Sequence, residues 1–109
     1  MSYRIEVTDH FKKEAKRIAK KYPSLKTELS DLFSTLEQDP QMGTSLGNQV
    51  FKIRLAISSK GKGKRGGARV ITYVQINDQV VLLLSIYNKG EKDSISDLEI
   101  QELIAKYAS

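Results

Sequence analysis

The side chains in this sequence that could do chemistry are cations placed at alternating positions of strand-like segments. In the segment VFKIRLAI, Lys52 and Arg54 are separated by one residue, so a β-strand would project both from one face, about 7 Å apart. Arg69 stands at the start of the segment ARVITYV, and Tyr87 and Lys89 lie on one face of VVLLLSIYNK. We expect these five side chains to converge on one concave sheet face, with the four cations on solvated positions.

Such a set of cations is sufficient for cleavage of RNA without a metal ion. In that reaction the ribose 2′-OH loses its proton and attacks the adjacent phosphate, and the 5′-oxygen leaves with a proton. Neighbouring cations disfavour the protonated form of a lysine, so Lys52 is predicted to be the general base and Lys89 the proton donor. Arg54 and Arg69 would hold the phosphate through planar bidentate donors. The same residues also fit a basic sheet that only binds the RNA or DNA backbone.

Other kinds of catalytic site have little support in the sequence. His10 is the only histidine, and because the chain has no cysteine, disulfides and thiolate metal sites are excluded. Carboxylates occur at Glu91 and Asp93, and those at Asp97 and Glu99 fall in the predicted first turn of a helix, where the macrodipole favours acids. The glycines of GKGKRGG precede a strand and fit no phosphate-loop pattern. The sequence therefore predicts neither a metal nor a cofactor.

The charge of the chain favours a polyanionic partner. The formal net charge is +5, and the cations are concentrated in the segment 11–21 and in the loop SSKGKGKRGGA. A loop that joins two strands of a hairpin needs only about two to five residues, so the extra length and charge of this loop favour a role in binding a polyanion. We expect eight of these cations to contact phosphates of RNA: Lys12, Lys13, Lys16, Lys20, Lys60, Lys62, Lys64 and Arg65.

Hydrophobic periodicity predicts an α+β fold with the element order β-α-α-β-β-β-α. The predicted elements are a strand at 3–7, helices from Asp9 and after Ser24, a loop at 37–49, strands at 50–57, 68–76 and 80–89, and a final helix capped by Ser96 and Glu99. They form an antiparallel sheet with a helical hairpin packed on one face. Residues 1–109 are predicted to be one domain, and no signal sequence or membrane span is recognised, which favours a cytoplasmic protein.

The period of two also assigns side chains to the two faces of the sheet. The face toward the helical hairpin is predicted to carry Phe51, Ile53, Leu55, Ile57, Val70, Thr72, Val74, Leu82, Leu84 and Ile86. The opposite face would carry the candidate site together with Ile71, Tyr73, Leu83 and Ser85.

Nearly the whole chain resembles toxins of the RelE/ParE superfamily, and in particular the HigB-like branch of the RelE-type mRNA interferases. The motifs that carry the resemblance are FKIRLA, SKGKGKRGGARVI and SIYNKGEKDSIS. It implies two helices packed on an antiparallel sheet and a toxin of a type II toxin–antitoxin system that cleaves mRNA in the ribosomal A site. It also implies a cognate antitoxin, HigA-like and carrying a helix-turn-helix.

The resemblance implies the same catalytic positions as strand alternation, since the family's basic residues match Lys52, Arg54, Arg69 and Lys89 (all four found above). Well-studied members have a tyrosine shortly after the last basic residue, where Ile95 stands in this sequence. Tyr87 is the candidate for its base-stacking role. Two other functions stay open: a non-enzymatic, ParE-like inhibitor of DNA gyrase, and a basic RNA-binding module.

Overall fold

The computed structural model describes residues 2–61, 63, 66–92 and 94–108. Its elements are β1 (Arg4–Val7), α1 (Asp9–Lys21), α2 (Leu25–Gln38), β2 (Thr44–Gly47), β3 (Val50–Leu55), a 3-10 turn (Ser58–Lys60), β4 (Ala68–Gln75), β5 (Val80–Asn88) and α3 (Asp97–Tyr107). None of the helices in these ranges has the length and apolar character needed to cross a membrane.

The predicted α+β class is confirmed, and the helices pack onto one five-stranded sheet with the order β1-β5-β4-β3-β2. Two details of the sheet were predicted wrongly. β1 pairs with β5 in parallel, because the helical hairpin carries the chain across the sheet between β1 and the antiparallel strands. The predicted loop at 37–49 contains β2, which pairs with β3 through a tight turn at Asn48 and Gln49.

The helical hairpin is built from two amphipathic helices with a break between them. Thr8 caps α1, since its Oγ1 accepts a hydrogen bond from the Phe11 amide at 3.1 Å. The Tyr22–Pro23 step ends α1, because the residue before a proline is disfavoured in the α region. The apolar stripes of both helices bury one sheet face in a core of thirteen residues: Phe11, Ile18, Leu25, Leu29, Leu32, Leu36, Ile53, Ile57, Ala68, Val70, Val81, Leu83 and Ile86.

The opposite sheet face is partly covered by α3. This helix begins with the predicted capping box, in which the Ser96 Oγ accepts from the Glu99 amide at 3.1 Å. Its apolar side, with Ile100 buried, packs on a second cluster that includes Leu84 and Tyr87. Thus α3 lies on the face predicted to carry the site.

The assignment of β5 side chains to the two faces was wrong for three leucines. Leu82 and Leu84 pack under α3, and Leu83 belongs to the hairpin core. The cause is a β-bulge: Ile71 pairs with Ser85 and Thr72 with Leu83, so one extra residue of β5 has no partner. A bulge reverses the in–out alternation on one side of it, which strand periodicity cannot anticipate.

Candidate functional site

The centre of the candidate site is a row of three residues across three strands. Arg54 on β3 pairs with Arg69 on β4, and Arg69 pairs with Tyr87 on β5. Residues paired across antiparallel strands have Cα atoms about 5 Å apart. Lys52 lies two residues from Arg54 on β3, and Lys89 follows the end of β5 two residues after Tyr87. The structure therefore brings the five predicted catalytic residues to one end of the sheet.

The members of this row differ strongly in exposure. Arg54 is exposed and Lys52 and Lys89 are intermediate, but Arg69 is only 5% exposed and Tyr87 only 2%. The expectation that all four cations lie on a solvated face was therefore wrong for Arg69. The base-stacking role expected of Tyr87 was wrong as well, because its ring is buried in the cluster under α3 and offers no free face to a base. Arg69 lies on the central strand β4, and its guanidinium Nη1 donates to the Ala68 carbonyl at 3.2 Å. Burial restricts the guanidinium group to few orientations, which suits bidentate binding.

Tyr87 is a neutral phenol surrounded by positive charge. Burial raises its pKa above the ordinary value of 10.0, while the charges of Arg69 and Lys92 oppose the rise. The ammonium group of Lys92 lies 5.7 Å from the centroid of the Tyr87 ring. At neutral pH the phenol therefore keeps its proton and can act as a hydrogen-bond donor.

Two residues between β5 and α3, Lys92 and Ile95, are held by contacts next to the site. Lys92 Nζ forms an ion pair with the Glu99 carboxylate at 3.0 Å, which holds the pKa of that carboxyl below its usual value through the hydrogen bond from Lys92. Ile95, at the position where related toxins were expected to have a tyrosine, packs against the apolar cluster under α3. Ile95 thus anchors this segment to the sheet. Asp93 lies outside the described residues.

Gly67 joins the end of the basic loop to the site. A Cβ at this position would collide with the carbonyl oxygen of Leu55, so the two backbones approach closely only because residue 67 is a glycine. The Gly67 carbonyl in turn accepts a hydrogen bond from the Lys89 amide at 3.1 Å. The loop end, β3 and Lys89 are therefore held together by backbone contacts.

The first residues of the basic loop are attached to the helical hairpin. The Glu28 carboxylate accepts hydrogen bonds from both the amide and the hydroxyl of Ser58, each at 2.6 Å. Lys60 Nζ donates to Asn88 Oδ1 at 2.5 Å and lies 5.3 Å from the centroid of the Tyr22 ring. The other three loop cations predicted to bind RNA, Lys62, Lys64 and Arg65, lie outside the described residues.

The four α1 lysines predicted to bind RNA are all exposed, but α1 packs on the sheet face opposite the Arg54–Arg69–Tyr87 row. Lys12 and Lys13 border a pocket of about 390 Å³ with His10 and Lys106. Lys16 and Lys20 border a separate groove of about 490 Å³ between the two helices. Their role in RNA binding stays a prediction.

Three residues next to the site were missed by sequence reasoning: Lys92, Asn88 and Gly67. Gly67 precedes β4, Asn88 ends β5 and Lys92 follows β5. At these positions alternation no longer indicates direction, and the weak available signals were the glycine next to the strand and the extra lysine of NKGEK. Within the part of the chain that the structure describes, no three His, Asp or Glu side chains come together as a metal site requires.

A family model and several solved structures of known proteins match this chain, and all of them describe RelE toxins, alone or in toxin–antitoxin complexes. The family model described as the RelE toxin of the RelE/RelB toxin–antitoxin system matches residues 4–109. The structure of a substituted E. coli RelE toxin in the free state is similar, with 15% identity, a TM-score of 0.65, and 98% of this chain and 99% of that chain covered.

Two structures of complexes are also similar in fold. For the RelBE2 toxin–antitoxin complex of Mycobacterium tuberculosis, the identity is 15% and the TM-score 0.59, over 81% of this chain and 99% of that chain. For the archaeal RelE–RelB complex of Pyrococcus horikoshii, the identity is 18% and the TM-score 0.56, over 84% and 100%.

Proposed function

Because the chain belongs to the RelE toxin family, we propose that it is a metal-independent endoribonuclease that cleaves mRNA during translation and so inhibits protein synthesis. The proposal treats residues 1–109 as one toxin domain that acts on mRNA bound to the ribosome. The observation that carries it is the row of Arg54, Arg69 and Tyr87 with Lys52 and Lys89 on either side.

This arrangement supplies the groups that the reaction requires. Lys52 takes the proton of the ribose 2′-OH, and the 2′-oxygen attacks the adjacent phosphorus. The bond from phosphorus to the 5′-oxygen breaks, Lys89 gives that oxygen a proton, and a 2′,3′-cyclic phosphate remains. Arg54 and Arg69 stabilise the charge of the phosphorane, and each such donor is worth about 10²–10³-fold in rate. Tyr87, which pairs with Arg69 at the β5 end of the row, contributes a buried phenol that can donate a hydrogen bond.

The proposed partners follow from the family and from charge. Like the relatives solved as toxin–antitoxin complexes, this protein would be neutralised by a cognate antitoxin, which we propose is HigA-like with a helix-turn-helix. Its other partners would be the ribosome and mRNA, in the cytoplasm. The net charge of +5 supports binding to ribosomal RNA.

Primer extension on a defined mRNA in a cell-free translation system tests the proposal. We expect new 5′ ends only within translated codons when the protein is present. The same mRNA without a start codon should stay intact. A variant combining Lys52→Ala, Arg54→Ala and Lys89→Ala should give no new ends.

Two results would reject the proposal. Growth arrest without any RNA cleavage would indicate a ParE-like inhibitor of DNA gyrase. RNA binding with neither cleavage nor growth arrest would indicate a basic RNA-binding module.

A further inference from the structure

Asn88, the last residue of β5, is a buried amide whose polar atoms are all engaged. It is 3% exposed. Its Oδ1 accepts from Lys60 Nζ at 2.5 Å and from the Gly90 amide at 3.2 Å, and its Nδ2 donates to Glu91 Oε1 at 3.1 Å. Its carbonyl accepts from the amides of Glu91 and Lys92. One side chain thus connects the basic loop to the turn that follows β5.

Two further contacts extend this connection to the helical hairpin. The Glu91 carboxylate forms an ion pair with Arg17 on α1 at 2.8 Å, and this hydrogen bond holds the pKa of Glu91 below its usual value. The Lys60 ammonium also lies over the Tyr22 ring at the end of α1. The exposed Arg17–Glu91 ion pair is weak on its own. The buried Asn88 amide, however, is hydrogen-bonded to both Glu91 and Lys60 and so links these contacts.

Lys60 has a different environment from an RNA-binding lysine on a mobile loop. Its side chain is intermediate in exposure, and its ammonium group is committed to an amide oxygen and to an aromatic face. Lys60 would have to give up both contacts before its ammonium group could bind a phosphate. The geometry at Lys60 indicates a structural contact instead.

Asn88 is covalently joined to Lys89, the proposed proton donor, and the Lys89 amide bonds to Gly67 at the other end of the basic loop. The Gly67 carbonyl therefore ties Gly67, and the Lys60–Asn88 hydrogen bond ties Lys60, to the segment that carries Lys89. A change in this bond would alter the direction of Lys89 relative to Arg69. Displacements of about 1 Å in a site can cost about 100-fold in rate.

We propose that Lys60 and Asn88 are a pair of positioning residues that orient Lys89 for proton transfer, and that Lys60 is not a ligand of RNA. This inference rests on the proposed function. It changes the expectation that all four loop cations contact phosphates: Lys60 has a positioning role, and phosphate binding is left to the other three.

Single-turnover cleavage on translating ribosomes tests the inference, with Lys60→Met, Asn88→Ala and the double variant. We expect each to lower the saturating rate about 10- to 100-fold. The half-saturating concentration and its salt dependence should not change. The double variant should be no slower than the slower single variant, because both substitutions remove the same Lys60–Asn88 hydrogen bond. Lys26→Met, on the exposed side of α2, is the matched control and should behave as wild type.

A higher half-saturating concentration for Lys60→Met, with a salt slope reduced by about one and an unchanged saturating rate, would overturn the inference and leave the proposed function intact. Lys60→Met changes a side chain outside the buried core, so it keeps the test decisive even if Asn88→Ala does not fold.

Amide hydrogen exchange gives a readout that does not need activity. We expect faster exchange of the Lys89 amide in Lys60→Met than in wild type and in Lys26→Met. Unchanged exchange would overturn the positioning role. If the wild-type protein cleaves no RNA, the proposed function fails, and the exchange result still decides whether Lys60 holds this segment.

Discussion

Arg54 and Arg69 are paired directly across the antiparallel strands β3 and β4, so two guanidinium-bearing residues stand side by side on one sheet face. Like charges at directly opposite positions disfavour folding by up to about 1 kcal/mol. A phosphate bound between them would convert this repulsion into two charge-assisted interactions. The pairing therefore places two guanidinium-bearing residues where one phosphate could contact both.

The first prediction concerns the geometry of Arg69. Arg69→Lys should lower mRNA cleavage about 10²-fold, because lysine keeps the charge but loses the planar bidentate donors. The cleavage rate can be measured by primer extension against time. Arg4→Lys is the control and should cleave at the wild-type rate, because Arg4 pairs with Val80, at the end of β5 away from Tyr87, and forms an ion pair with Glu6. Equal rates for Arg69→Lys and wild type would show that bidentate binding by Arg69 is not used.

The second prediction concerns Tyr87 and pH. Burial raises the pKa of the phenol above 10.0 in the folded protein, whereas the unfolded chain has the ordinary value. The resulting contribution to stability is fully present below about pH 10 and is lost as the pH rises through the folded pKa. Urea unfolding from about pH 8.5 to about pH 11 measures it, with Tyr87→Phe as reference. The stability difference between wild type and Tyr87→Phe should be constant at first and then shrink; a difference independent of pH would contradict the assignment.

The third prediction concerns the close approach of backbones at Gly67. Gly67→Ala should destabilise the protein by about 1–3 kcal/mol, because the new methyl group meets the Leu55 carbonyl. Gly90→Ala is the matched control, since its added Cβ would make only ordinary contacts, at 3.7 Å to Asn88 Oδ1 and 3.9 Å to Lys60 Nζ. Thermal unfolding of both variants gives the comparison. A Gly67→Ala protein as stable as Gly90→Ala would mean that the two strands can separate there without cost.

The fourth prediction concerns a hydroxyl at the β-bulge. Thr72 is fully buried, and within the described part of the chain its Oγ1 has no hydrogen-bond partner. Thr72→Val should therefore raise the free energy of unfolding by about 1 kcal/mol. Thr8→Val should have the opposite effect, about 1–2 kcal/mol, because the Thr8 hydroxyl donates to the Leu83 carbonyl at 2.8 Å and caps α1. Denaturant titration measures both, and a destabilised Thr72→Val would reveal an unrecognised partner.

Local patterns predicted those parts of the fold and site that depend on neighbours along the chain. The helical stripes identified the hairpin, and alternation in β3 and β4 placed Arg54 and Arg69 together on one face. The capping box likewise identified Ser96 as the N-cap of α3. In these regions a period of two or 3.6 residues is uninterrupted.

The remaining features depend on contacts between distant segments. The bulge opposite Ile71 and Thr72 reverses which sheet face the β5 side chains point to, and this can be seen only from the pairing of β5 with β4. The burial of Tyr87 follows from where α3 packs, which the sequence of α3 does not specify. The strand β2 exists because Asn48 and Gln49 adopt positive φ angles of 51° and 65° in a two-residue turn, although neither is a glycine.

The parallel pairing of β1 with β5 has a consequence for the synthesis of the protein. Thr8 and Leu83, which are hydrogen-bonded next to this pairing, are 75 residues apart in the sequence. Contacts of such long range form late and slowly, because the intervening chain must first be ordered. During translation β1 therefore cannot pair until β5 has been made. The candidate site cannot form before then either, because β5 contributes Tyr87 to it. A nascent chain that still lacks β5 has neither Tyr87 nor Lys89, so under the proposed function it would stay inactive until β5 has been made and paired.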